Sequence, residues 1–125
     1  MRIVASVMLV VMLSGCGKTA PTLTGGKPVS YWVEALQSSD PKLRKKAVFK
    51  LGNVGCNDSA ALPAVVGTLQ DPDSAVRCAA IQALMKFGLE GRQAEPILKQ
   101  IQQHDRNIQA RDYAAKALQK LGLRN

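Results

Sequence analysis

The chain has 125 residues, with 17 Lys and Arg against 9 Asp and Glu, and a formal charge of +8. That length is one domain's worth and excludes a typical two-domain enzyme, while 3 Cys and 1 His exclude a self-contained cysteine-rich zinc module and a dense disulfide framework. A basic excess of this size points to an anionic counterpart, whether nucleic acid, lipid headgroups or an acidic protein.

The first fifteen residues differ from the rest. Arg2 is a minimal positive start, Ile3 to Leu13 is an apolar run broken only by Ala5 and Ser6, and the small residues Ser14 and Gly15 follow. This is the layout of an export signal, and the run is shorter than the roughly 20 apolar residues that span a bilayer. Leu13-Ser14-Gly15-Cys16 resembles the bacterial lipoprotein lipobox at every position. The resemblance implies diacylglycerol transfer to Cys16 and cleavage after Gly15, so that acyl chains on Cys16 are the only covalent additions expected and no cofactor or metal is. An ordinary secretory signal is the alternative. Each buried methylene contributes roughly 0.8 kcal/mol, so two or three acyl chains hold a protein on a membrane stably. Gly17, in place of Asp, favours the outer membrane under enteric-type sorting; otherwise the outer face of the plasma membrane is expected. Removing Arg2 with the leader leaves sixteen cations against nine anions.

Gly17 to Pro28 is Gly-, Thr- and Pro-rich and without periodicity, so 16–28 reads as a lipidated cysteine with a flexible tether. Twelve residues reach at most about 40 Å.

From Val29 the chain repeats itself. Asp40-Pro-Lys-Leu-Arg44 recurs as Asp73-Ser-Ala-Val-Arg77 and as Asn107-Ile-Gln-Ala-Arg111. After each Arg, apolar residues at helical spacing run to a glycine: Ala47, Leu51, Val54 and Gly55; Ala80, Leu84, Phe87 and Gly88; Ala114, Leu118, Leu121 and Gly122. An earlier helix precedes each copy, marked by Val29, Trp32, Val33 and Leu36, then Leu62, Val65, Val66 and Leu69, then Ala94, Ile97, Leu98 and Ile101. Asp40, Asp73 and Asn107 suit N-caps, the three glycines suit C-terminal caps, and Pro63 and Pro96 suit first helical turns. No strand-like alternation is visible.

These units resemble HEAT repeats of the short bacterial type over residues 29 to 122. The fold expected is all-α, a short right-handed α-solenoid of three HEAT-like helical hairpins (six helices), with repeats at about 29–55, 59–88 and 94–122 in a domain spanning 29–125. The resemblance implies a structural ladder between repeats through Asp40, Arg44, Asp73, Arg77 and Arg111, with Asn107 as a departure that weakens the last rung. It also implies that the second helix of each pair lines a concave binding face. Trp32 is expected to plug the open first end.

A position polar in two copies is expected to be exposed in the third. Cys78 aligns with Lys45 and Asp112 and is placed on the outward face. Cys56, beyond Gly55, lies on the order of 16 Å from Cys78 along the helix axis, whereas a disulfide requires α-carbons within about 7 Å, so both thiols are expected to be unpaired. Phe49 aligns with Gln82 and Lys116, falls on the exposed face, and sits among Lys42, Lys45, Lys46 and Lys50. An aromatic anchor in a charged rim is the composition of an interaction hot spot. The partner-binding candidates are therefore Lys42, Lys45, Lys46, Phe49, Lys50, Cys78, Gln82, Tyr113 and Lys116, with Ala75, Lys86, Asp112 and Lys120 on the same face.

No enzyme constellation emerges. His104 stands alone, Glu34, Glu90 and Glu95 are scattered, and no Gly-rich phosphate loop occurs. The reading is a membrane-anchored, non-catalytic scaffold that binds another cell-envelope protein, with no nucleic acid and no small-molecule substrate. The alternative is electrostatic binding of an anionic membrane surface or polyanion through the first-repeat Lys/Phe cluster. HEAT-like repeats also occur in phycobilin lyases, so bilin attachment is a third and lesser expectation.

Overall fold

A computed structural model of the chain describes residues 22–123. The leader, Cys16 and the first part of the tether lie outside them. Among the described residues there are six α-helices: α1 Val29–Ala35, α2 Pro41–Val54, α3 Ala61–Thr68, α4 Ser74–Leu84, α5 Glu95–His104 and α6 Ile108–Lys120. The second helices α2, α4 and α6 pack directly on one another, and α1, α3 and α5 form the other layer. This is an all-α solenoid of three helical hairpins.

Local chemistry sets the helix ends. The Asp40 carboxylate accepts the Lys42 backbone N–H at 2.9 Å, Asp73 accepts those of Ala75 and Val76, and the Asn107 side chain accepts that of Ala110 at 2.9 Å. Each satisfies donors that a helix start leaves free. Gly55 and Gly88 end the repeat units at φ 58° and 59°, a region unfavourable for side chains bearing Cβ. A Cβ on Gly88 would meet nothing within 4 Å, so the cost of replacing it is backbone strain alone. Gly88→Ala is expected to lower the unfolding free energy by about 1–2 kcal/mol, measured as a lower urea midpoint at unchanged slope.

The sequence placed a structureless tether up to Pro28, and the structure corrects this. Leu23–Thr24 pairs antiparallel with Lys27–Pro28, in the register Leu23 to Pro28 and Thr24 to Lys27. Gly25 and Gly26, at φ 60° and 76°, supply the two positive φ angles that a two-residue hairpin turn requires. Two residues per strand are too few to show alternation, so only the Gly-Gly pair signalled the turn. The hairpin is held from outside itself: the Trp32 indole N–H donates to the Thr24 carbonyl at 2.8 Å and the Thr24 hydroxyl to the Lys50 carbonyl at 3.3 Å. It covers the first end of the stack, over the buried Trp32, so ordered structure is already present ahead of Val29, from Leu23 on.

The ladder between repeats exists with different rungs from those expected. The Arg44 guanidinium grips Asp71 bidentately at 2.9 and 3.0 Å, and Arg77 grips Asp105 at 2.8 and 2.7 Å. Each Arg also donates to a carbonyl in the loop before its own helix: Arg44 to Ser38, Arg77 to Asp71 and Arg111 to Asp105. Asp40 and Asp73 are not rungs, because their carboxylates are taken up by the first turn of their own helices. The acceptor stands two residues earlier, in the loop that faces the preceding repeat. Asn107 accordingly weakens nothing; it caps α6 while Asp105 closes the rung. The first repeat carries Ser38 at this place, where no preceding Arg needs a carboxylate, and its hydroxyl still accepts the Asp40 N–H at 3.1 Å.

One tight approach shapes the second-helix layer. A Cβ on Gly52 would lie 2.8 Å from the Ala83 Cβ and 3.1 Å from its Cα, so Gly52 lets α2 and α4 close on each other. The core is mostly aliphatic, with Leu51, Leu69, Ile81, Leu84, Leu98 and Leu118 fully buried and Trp32 and Phe87 as its buried aromatics.

Candidate docking notch on the second-helix face

The close approach at Gly52 opens, one to two turns toward the N-terminus of α2, into a notch of about 300 Å³ lined by Lys45, Phe49, Ala79, Gln82, Ala83 and Lys86. Lys45 and Phe49 are one turn apart on α2, Gln82 and Lys86 one turn apart on α4, and the methyl groups of Ala79 and Ala83 form the floor. Phe49 is 56% exposed. Its ring adjoins the methyl groups of Ala79 and Ala83 in the notch, so the exposed apolar surface is contiguous there, which is the mark of a contact surface.

The four lysines expected around Phe49 are divided among three places. Lys45 lines the notch. Lys46 holds its ammonium 5.9 Å from the centre of the Trp32 ring, and the Lys50 side chain lies against Gly25 of the hairpin, within 2.9 Å of where a Cβ would stand. Lys42 is exposed at the start of α2. The cation that does sit on Phe49 is Lys86, from the next repeat, 4.7 Å from the ring centre and hydrogen-bonded to the Asn53 side chain at 2.6 Å. Repeat alignment placed Lys86 on this face but only the stacking of α2 on α4 brings it to Phe49.

Cys78 is the clear correction. It is buried, 7% exposed, although Lys45 and Asp112 at the equivalent positions are exposed. A thiol is small and weakly polar and packs as an apolar group, so the polarity of its equivalents did not carry over. Burial raises its pKa, partly offset by Arg77 and Lys45. Cys56 is exposed, as its loop position implied, and both thiols are free. Its pKa is also raised, first by the neighbouring Glu90 carboxylate, which keeps it in the less nucleophilic thiol form, and its Sγ–H donates to the Phe87 carbonyl at 3.7 Å.

The third repeat presents a different surface. Tyr113 occupies the position equivalent to Ala79, and it is half-buried against the core: a phenol ring stands where α4 offers a methyl group. Lys116 is exposed and paired with Asp112 at 2.9 Å, so its charge is partly neutralised. Gln82 reaches the notch; Tyr113 and Lys116 do not.

The first two turns of α2 carry Lys42, Arg44, Lys45 and Lys46 and no acidic residue. Cations there oppose the partial positive charge of a helix N-terminus. Arg44 is accounted for by Asp71 and Lys46 sits over Trp32, while Lys42 and Lys45 leave a positive potential along the rim. A larger cavity of about 490 Å³ lies between α1 and α3, but Arg44 and Asp71 in its lining are already bound to each other. Among the described residues no group of His, Cys, Asp and Glu is arranged to hold a metal, and no helix is long and apolar enough to cross a membrane.

Comparison with known proteins bears on this architecture. The family described as HEAT repeats matches residues 29–122. The chain belongs to the HEAT-repeat family. A similar solved structure is the complex of CpcE and CpcF of phycocyanin lyase from Nostoc sp. PCC7120, at 30% identity and a TM-score of 0.66, covering 86% of this chain and 41% of that one. The HEAT unit here thus spans well under half the length of that neighbour. No curated protein matches the chain.

Proposed function

We propose that the chain is a membrane-tethered, non-catalytic HEAT scaffold that binds another cell-envelope protein through its second-helix face. The observation that carries the reading is the notch itself: an exposed phenyl ring over two alanines, bordered by unneutralised lysines. The anchor is the acylated Cys16 inferred from the lipobox-like leader, and the acyl groups are the only additions the reading requires. With the hairpin folded from Thr22, the tether between anchor and domain shrinks to Gly17 through Pro21, whose five residues reach at most about 17 Å. The first repeat is then held close to the bilayer, with its concave face available to a neighbour at the same height.

Two experiments test the two halves of this reading. Cys16→Ala is expected to move the chain out of the membrane fraction, and unchanged fractionation would remove the anchor. Affinity capture from detergent-solubilised envelopes is expected to retain one protein in about 0.15 M salt and to lose at least 90% of it with Phe49→Ala. Recovery unaffected by Phe49→Ala would remove the docking face.

A second reading, direct binding of an anionic membrane, draws on Lys27, Lys46 and Lys50 grouped around the hairpin end. Each lysine at such a surface contributes about 1 kcal/mol, and the Debye length falls to about 8 Å at physiological salt, so vesicle binding of a Cys16→Ala chain that vanishes on raising salt would favour it. The likeness to a phycocyanin-lyase subunit supports a third reading, in which the unit acts on a phycobiliprotein. Selective capture of phycocyanin would favour that one.

A further inference from the structure

We infer that the notch between α2 and α4 is a receptor for an acidic segment carrying one apolar side chain, which seats on Ala79, Ala83 and Phe49 while its carboxylates meet Lys45 and Lys86. This inference rests on the scaffold reading and names the chemistry of the partner. The six lining residues include two ammonium groups and no carboxylate, and the exposed Lys42, one turn before Lys45 on α2, extends the positive rim. Charge complementarity therefore selects an acidic occupant. The volume, about 300 Å³, is at the lower limit of ligand pockets and suits a side chain or two instead of a large cofactor.

The molecule contains its own control. The equivalent groove between α4 and α6 would be framed by Cys78 and Gln82 on one side and Lys116 and Lys120 on the other, and Tyr113 stands at the floor position held by Ala79. A half-buried ring stands at that place with the Lys116 ammonium 5.8 Å from its centre, and Asp112 pairs with Lys116. Of these two interfaces, only the first combines a methyl floor, an aromatic wall and two lining cations with no carboxylate among the lining residues. Ala79→Tyr would give the first groove the ring that the third already carries.

The test titrates the full chain in detergent with acetyl-Glu-Glu-Leu-Glu-Glu-amide at low salt and follows backbone amide shifts. The expected result is saturable movement confined to the amides around Phe49, Ala79 and Lys86. Binding should be at least tenfold weaker for the all-Gln analogue and for the analogue with Ser in place of Leu. Ala79→Tyr should abolish the movement; should that variant not fold, Lys45→Gln combined with Lys86→Gln, both at the solvent-facing rim, should weaken binding at least tenfold. Equal binding of the Gln analogue, or undiminished binding by a folded plugged variant, would overturn the inference. Protection of the same amides by phosphatidylglycerol vesicles, with no response to the peptide, would assign the surface to a membrane and also overturn it. If Phe49-dependent capture of an envelope protein persists while the peptides show no preference for charge, the scaffold stands and the acidic segment does not.

Discussion

Trp32→Ala is expected to lower the unfolding free energy by about 3–5 kcal/mol. The indole is 4% exposed, lies edge-on to Tyr31 at 5.0 Å between ring centres, and donates to the Thr24 carbonyl. Truncation would leave a cavity at the end of the stack and unpin the hairpin that closes it. Since a domain of this size holds about 5–15 kcal/mol in total, the variant should be near the limit of folding at 37 °C. Trp32→Phe separates the two contributions, because it keeps most of the ring volume and loses the hydrogen bond, for a cost of only about 1 kcal/mol. Urea unfolding followed by far-ultraviolet circular dichroism measures both. A loss below about 1 kcal/mol for Trp32→Ala would show that the hairpin and Trp32 do not close the first end.

Breaking the Arg77–Asp105 rung comes next, at about 3 kcal/mol for Asp105→Ala or Arg77→Ala. The pair is bidentate and mostly shielded, with side chains 16% and 7% exposed, so removing either partner leaves a charge with little water around it. Asp105 has a second duty, since its Oδ1 also accepts the Asn107 backbone N–H at 2.9 Å. Burial pushes the Asp105 carboxyl up, but the hydrogen bonds from Arg77 and Asn107 and the charge of Arg77 outweigh it, and its pKa is lowered. A lowered folded-state pKa means that the unfolded chain binds the proton more readily. The contribution is therefore complete above the unfolded value of about 3.9 and is lost as the pH falls through that value toward the folded one. Asp105→Ala should accordingly flatten the acid limb of the stability profile below about pH 4 while lowering the plateau near neutrality. A variant whose acid limb kept the original slope would contradict the assignment.

Periodicity carried most of the architecture. The three Asp/Asn-to-Arg-to-Gly copies predict six helices and three positive-φ glycines, and all are present. The hairpin was illegible because two-residue strands contain no period, and its main stabilising contact, Trp32 to Thr24, is tertiary. The ladder was half legible. Repeat alignment identified the arginines, yet it could not tell which of Asp71 and Asp73 faces the previous repeat, since the two differ only in what surrounds them. Cys78 failed the alignment test for a related reason: polarity at Lys45 and Asp112 reports a solvent-facing position only where the residue itself demands water. Phe49 was legible as an exposed aromatic, whereas its pairing with Lys86 depended on how closely Gly52 lets two helices approach.

In the cell, the second-helix face around Phe49 is expected to hold an envelope protein. The direct measurement replaces Phe49 with a photoreactive benzoylphenylalanine in intact cells and compares it with the same group at Gln103, exposed on α5 of the other layer. One discrete protein adduct at position 49 and none at 103 is the predicted result; adducts only with lipid, or equal labelling from both positions, would contradict it.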